Sequence, residues 1–254
     1  MMHPDPAAHP TPPAMDDAVD FDDFARSYDE DLARGLSVSG ESKDYFAQKR
    51  AHWTAERLAL LGVQPATLLD FGCGTGGSVG HLLGWPGVER LTGVDPSAAS
   101  LAIARREHPD RRADFRLPDA PPPTGIDLAY TNGTFHHITA DERPAALRYV
   151  WNTLRPGGLF VMWENNPLNP GTRLVMSRCA FDRDAEPFAA RSARVQLRAV
   201  GFEVVRTDHL FIFPRILRAL RPTERWVSGL PLGAQYAVFA RRPQASTPTL
   251  DNAS

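Results

Sequence analysis

The stretch LLDFGCGTGG at residues 68–77 constrains this chain most. An apolar run ends in an acid, breaks into four glycines, and an apolar pattern resumes over residues 79–83. This order predicts a strand, a tight turn and the start of a helix. Glycine lets a backbone approach a ligand closely, and a helix start offers unpaired N–H groups to an anion. The stretch favours a ligand-binding turn over the alternative, a strand–turn–helix without a ligand.

Asp70, the acid in this stretch, favours one class of ligand over another. Gly72, Gly74 and Gly77 satisfy the dinucleotide spacing G-x-G-x-x-G, but Asp70 would repel a pyrophosphate. A zwitterion fits better, with its ammonium near Asp70 and its carboxylate at the helix start. S-adenosylmethionine has such an amino-acid end. LLDFGCGTGG, with GVDPS at residues 93–97, resembles the motifs of class I S-adenosylmethionine-dependent methyltransferases.

Strand and helix patterns alternate along the chain and predict an α/β fold, doubly wound, with a mostly parallel seven-stranded sheet and helices on both faces. The predicted strands cover residues 67–71, 89–94, 113–117, 126–131, 159–163, 202–206 and 234–240. The family resemblance implies that the last strand is antiparallel. The segment after the fifth strand does not fit the minimal plan and leaves from the carboxyl end of a strand, where ligands bind, so a lid is expected there.

We expect a single methyltransferase domain over residues 19–242. It includes an N-terminal helical cap over 19–62, with a long helix over 43–61, and a lid insertion over 164–190. The Pro- and Ala-rich lead, residues 1–18, and the small polar tail, residues 243–254, are expected to be disordered.

Composition limits the partners. The formal net charge is −2, which argues against nucleic acid and favours a small-molecule substrate. Two cysteines and no carboxylate-rich cluster suggest neither disulfides nor a metal site. No apolar run is long enough to span a membrane, and no signal pattern opens the chain. We therefore expect a cytoplasmic monomer or homodimer without integral membrane association.

The cofactor residues follow from the resemblance. Asp70 and the turn would hold the amino-acid end, Asp95 the ribose hydroxyls, and Asp119 the adenine amino group. Asp95 can also act as a simple helix N-cap, and Asp114 competes with Asp119. A tyrosine near the N-terminus often covers the cofactor, and Tyr28 matches it, although a core role is an alternative. The full cofactor-binding set is Tyr28, Asp70, Gly72, Cys73, Gly74, Asp95, Pro96, Asp119, Ala120, Asn132 and Phe135.

Candidate catalytic residues follow the fourth and fifth strands. The segment around His136 and His137 resembles one that surrounds the sulfonium in relatives, and either histidine can act as a general base. The alternative is that they orient the loop. Glu164, at the end of the fifth strand, can take a proton.

The segment after Glu164 is predicted to be a rigid, polar, non-helical loop. Its candidate substrate-binding residues are Asn165, Asn166, Asn169 and Arg173. An Asx-turn scaffold is the alternative. A second unusual segment, residues 210–221, alternates apolar and basic residues. It is interpreted as a core-facing stripe, with a peripheral membrane helix or a pocket wall as alternatives.

The resemblance implies in-line methyl transfer from S-adenosylmethionine to a small-molecule acceptor, at oxygen rather than nitrogen or carbon, with S-adenosylhomocysteine as the product. The protein would mainly align nucleophile and methyl. Two alternatives remain open: non-methyl chemistry such as cyclisation or decarboxylation, and a non-catalytic cofactor-binding partner subunit.

Overall fold

The computed structural model describes residues 40–179, 182 and 185–244. Tyr28, the expected N-terminal lead and most of the expected tail lie outside the described residues, as does the cap before residue 40. The helices are α1 Lys43–Leu60, α2 Val79–Leu83, α3 Ala98–Glu107, α4 Arg143–Thr153, α5 Pro170–Met176, α6 Ala190–Val200 and α7 Glu224–Val227, with 3-10 turns at Phe135–His137 and Arg215–Thr223. The strands are β1 Thr67–Phe71, β2 Arg90–Val94, β3 Ala113–Arg116, β4 Ile126–Asn132, β5 Leu154–Asn165, β6 Glu203–Leu210 and β7 Gln235–Arg241.

The seven strands form one sheet in the order β3-β2-β1-β4-β5-β7-β6. β1 to β5 are paired in parallel, and β7 runs antiparallel to both β5 and β6. The predicted mostly parallel sheet with an antiparallel last strand is therefore confirmed. The strand order reverses at β1, between β2 and β4, and ligands of open parallel sheets bind at such a switch point.

Neighbouring residues of the strands face opposite sides of the sheet and build a core on each. Leu68 belongs to the core beneath α1 and α2, whereas Leu69 belongs to the core beneath α4 and α6. Both leucines are fully buried. A sheet covered on both faces holds the carboxyl ends of its strands rigidly, and this edge carries the candidate site.

The largest differences from the predicted elements concern β5, β6 and the segment after Glu164. β5 begins at Leu154 rather than 159, because Leu154 pairs with Ile126 across a bulge. β6 continues to Leu210, since its last residues pair with β7. The segment after Glu164 is not entirely non-helical: α5 begins at Pro170, where the Asn169 side chain accepts a hydrogen bond from the Thr172 N–H and caps the helix.

Among the described residues, no helix is both long and apolar enough to cross a membrane.

Candidate functional site

A cavity of about 200 Å³ lies at the carboxyl ends of β1, β2 and β4. The glycine turn forms its floor: Gly72 and Cys73 donate backbone hydrogen bonds to the Val94 carbonyl, at 2.7 and 3.1 Å. Gly72 has a φ of 72°, and a Cβ there would lie 2.2 Å from the Thr134 hydroxyl. This position therefore requires glycine for its backbone conformation and for the close approach of the next loop. We call this space the donor cavity.

Asp70 is the buried charge of the donor cavity. Its side chain is 2% exposed, and Oδ2 has no hydrogen-bond partner among the described residues. Burial, together with the nearby Asp95, raises the pKa of Asp70 to about 7, against the opposing charge of Arg50. A buried carboxylate oxygen without a donor is costly unless a ligand supplies one. An ammonium group would satisfy it, so the residues present fit the amino-acid end of S-adenosylmethionine.

The N-cap of α3 is Ser97 rather than Asp95, and the contact of Asp95 with the ribose hydroxyls stays a prediction. Its Oδ2 accepts a hydrogen bond from the Gly74 N–H at 2.8 Å, and its Oδ1 accepts one from the Ser97 N–H at 3.0 Å. The carboxylate thereby joins the glycine turn to the start of α3, where Ser97 is the N-cap. Asp95 also lines the donor cavity, beside Pro96.

The remaining cofactor candidates on the glycine turn and after β2 and β4 differ in whether they line the donor cavity. Those that line the donor cavity are Gly72, Cys73, Gly74, Pro96 and Asn132. Phe135 instead lies in the core against Phe71 and Phe160, with ring centroids 5.7 and 6.1 Å apart.

The adenine-side candidates lie outside the cavity wall. Pro118 lines the donor cavity, whereas Asp119 and Ala120 are not among its lining residues. Asp114 forms an ion pair with Arg116 on the surface. The loop after β3 thus reaches the donor cavity through Pro118, while neither Asp114 nor Asp119 lines it.

A second cavity, of about 410 Å³, adjoins the first. Its walls come from the start of α1, the loop after β4, α5 and the segment after β6; we call it the acceptor cavity. Lys43, Arg50, Asn132, Gly133 and His137 line both cavities and form a common wall. A ligand atom placed at that wall would be accessible from either side.

His136, Glu164 and Asp182 form a polar cluster at the acceptor cavity. His136 Nδ1 donates to Glu164 Oε2 at 2.6 Å, and Glu164 Oε1 accepts from the Phe135 N–H at 2.7 Å. Burial alone lowers the pKa of His136, but the charges of Glu164 and Asp182 outweigh it and raise that pKa. Burial and the His136 charge lower the pKa of His137 far below its usual range. Glu164 thus orients the His136 ring, and the Glu164 side chain is itself only 1% exposed.

The asparagines of the lid have different environments. Asn166 is buried and donates to the carbonyls of Pro231 and Gly233, and Asn169 donates to the Leu232 carbonyl. These contacts are those of a scaffold that fastens the start of α5 to the loop before β7.

Asn165 and Asn169 both line the acceptor cavity, whereas Arg173 is exposed and is not among the residues that line it. Asn165 accepts from Gln235, which in turn accepts from Arg50 at 3.0 Å. Sequence reasoning missed Arg50 and Gln235. Arg50 falls at the spacing of the apolar residues Phe46 and Trp53 on α1, and a charge on an apolar helix face was the available signal.

Comparison with known proteins agrees with this geometry. Residues 68–158 match the family model for a methyltransferase domain. Trans-aconitate 2-methyltransferase of Escherichia coli O1:K1 / APEC is 32% identical over 172 residues, covering 63% of this chain and 66% of that protein. The chain spans about half to two thirds of the length of the first curated relatives it matches.

Solved structures show the same fold. Human N-acetylserotonin methyltransferase in complex with S-adenosylmethionine aligns with a TM-score of 0.61 at 16% identity, covering 91% of this chain and 61% of that one. The cyclase SpnF aligns at 0.57 and 22% identity, covering 78% and 81%. The glycine turn, the family model and the curated relatives together show that residues 68–158 belong to the class I S-adenosylmethionine-dependent methyltransferases, whose cofactor is S-adenosylmethionine.

Proposed function

We propose that this protein transfers the methyl group of S-adenosylmethionine to an oxygen atom of a small molecule held in the acceptor cavity. The observation that carries the proposal is the common wall between the two cavities. A donor bound through Asp70 and Asp95 on one side and an acceptor on the other would meet there, beside His137. Methyl transfer is an in-line displacement, so alignment of the two reactants is the main contribution required of the protein.

The acceptor cavity favours a polar molecule. Lys43 and Arg50 bring two cations to the common wall, and Asn165 and Gln235 add amide groups. Oxygen acceptors of the carboxylate type suit such a wall and need no base, because they are already ionised at neutral pH. The named relative supports this choice, since trans-aconitate is a small polycarboxylate.

In the proposed mechanism the sulfonium supplies the activation when the cofactor is bound. The chain's own residues hold the amino-acid end at Asp70 and keep Asn132 and His137 at the boundary between donor and acceptor. We also propose that the protein is cytoplasmic and that it is a monomer or a homodimer.

The test is a methyl-transfer assay with methyl-labelled S-adenosylmethionine and a panel of small polycarboxylates, phenols and amines. We expect a labelled product heavier than its parent by one methylene group, formed from an oxygen acceptor. Asp70→Asn should abolish the transfer, whereas Asp44→Asn should not, because Asp44 is 79% exposed on α1. Bound cofactor with a converted substrate but no methyl gain would instead favour cyclisation or decarboxylation.

A further inference from the structure

Three possible ligand atoms converge at the wall of the acceptor cavity. His136 Nε2 and His137 Nε2 each lie 3.5 Å from Asp182 Oδ1, and the three residues each offer one ligand atom within 4.8 Å of the other two. A charge-assisted hydrogen bond would be about 2.7–2.9 Å long. Two ligands of one tetrahedral metal ion, with bonds of about 2.1 Å, are separated by about 3.4 Å. The observed spacing is that of ligands that share an ion.

Glu164 supports this arrangement from behind. It accepts the His136 Nδ1–H at 2.6 Å, which leaves Nε2 as the atom directed toward His137 and Asp182. Metal-bound histidines typically donate their other N–H to a carboxylate in this way, because the contact fixes the ring and makes the coordinating nitrogen more basic. Glu164 has its second oxygen bonded to the Phe135 N–H and is therefore itself held in place.

We propose that His136, His137 and Asp182 bind one divalent transition-metal ion at the wall of the acceptor cavity. Two imidazoles and one carboxylate suit zinc or ferrous iron, whereas Mg²⁺ prefers oxygen ligands alone. Three protein ligands leave further coordination positions open, as in catalytic metal sites. All three residues line the acceptor cavity, so an open position faces the space where a substrate would lie.

The proposal departs from the expectation of no metal site drawn from the sequence. The side chains of adjacent residues point in different directions in a regular strand or helix, which disfavours binding of one ion by both. Here they lie on the 3-10 turn Phe135–His137, with ring centroids 4.1 Å apart. The third ligand, Asp182, comes from the lid and is distant in sequence, so no local spacing could indicate it.

The ion would give the acceptor cavity a point of attachment for an acceptor oxygen. This consequence rests on the proposed methyl transfer, whereas metal binding itself does not. A carboxylate or hydroxyl oxygen bound at an open position would be fixed beside His137, which also lines the donor cavity. The ion would therefore select oxygen-bearing acceptors by coordination.

The test uses the full chain, stripped of metal with a chelator and titrated with Co²⁺, whose visible absorption reports coordination by nitrogen and oxygen. We expect one Co²⁺ per chain and competition by Zn²⁺, but not by Mg²⁺ at equal concentration. His137→Gln and Asp182→Asn should each lose the absorption, and Glu164→Gln should weaken binding by about 10- to 100-fold. The matched control is His52→Gln, because the His52 side chain is 66% exposed on α1.

Circular dichroism and thermal melting show whether each variant is folded. Because two ligand residues are replaced independently, the test remains valid if one of the two variants fails to fold. The proposal is overturned if the wild-type protein takes up no Co²⁺, or if folded His137→Gln and Asp182→Asn proteins bind it as the wild type does. S-adenosylmethionine binding, measured on the same metal-free samples, tests the donor site separately. Failure there would refute the proposed function while leaving the metal result standing.

Discussion

Replacement of Asp70 by asparagine should make the cofactor-free protein more stable above neutral pH while removing its affinity for S-adenosylmethionine. The pKa of Asp70 is about 7 in the folded chain, because the carboxyl is buried close to Asp95. In the unfolded chain the group titrates near its ordinary value of about 3.9. The folded state therefore disfavours the charged form, and stability declines as the pH rises between these two values.

The magnitude follows from the difference in pKa. About three pKa units at about 1.4 kcal/mol each correspond to a penalty of about 4 kcal/mol at pH 8, whereas at pH 5 the penalty is about 1.5 kcal/mol. Asparagine carries no charge and avoids this penalty, but its buried amide lacks partners, which costs about 1–3 kcal/mol. We expect the variant to be more stable than the wild type by about 1–3 kcal/mol at pH 8, with the advantage disappearing near pH 5.

The assay is urea unfolding followed by circular dichroism at several pH values, with and without S-adenosylmethionine. Saturating ligand at about 100 times its dissociation constant should stabilise the wild type by about 2.7 kcal/mol and leave the variant unchanged. Asp141→Asn, at an exposed position before α4, serves as the control with no pH-dependent gain. An Asp70→Asn protein whose stability follows the wild type in parallel from pH 5 to pH 8 would refute the reasoning.

Two further pairs of substitutions test the glycine turn and the core. Gly72→Ala should destabilise the protein by several kcal/mol, because its Cβ would meet Thr134 at 2.2 Å in a left-handed backbone, whereas Gly74→Ala meets nothing within 4 Å and should cost about 1 kcal/mol; equal melting temperatures would contradict this. Leu147→Ala in the core should cost about 2–5 kcal/mol, and Leu168→Ala, 65% exposed, under 0.5 kcal/mol, in denaturant unfolding; similar losses would show that burial does not govern stability here.

The donor side of the site could be predicted from sequence because its residues are local. Asp70, the glycines and the start of α2 follow one another within a few residues, so apolar periodicity and turn chemistry were sufficient to place them. Asp95 lies one strand further on, and a parallel sheet brings the ends of adjacent strands together. The strand–turn–helix order therefore determined most of the donor cavity.

The acceptor side depends on contacts between distant residues. Arg50 donates a hydrogen bond to Gln235, which lies 185 positions away in the sequence. Asn166 donates one to the carbonyl of Gly233, which lies 67 positions away. No local pattern distinguishes an asparagine that binds a substrate from one that fastens a loop. For this reason the sequence grouped Asn165 and Asn166 as binding residues, whereas the structure gives them different partners.

Binding of S-adenosylmethionine to the wild-type chain tests the central claim most directly. In titration calorimetry at pH 8 we predict one saturable site per chain, competed by S-adenosylhomocysteine. Asp95→Asn, which removes the charge beside the glycine turn, should weaken that site by about tenfold, or about 1.4 kcal/mol. No saturable binding by the folded wild type, or equal affinity in the variant, would contradict the assignment of the donor cavity.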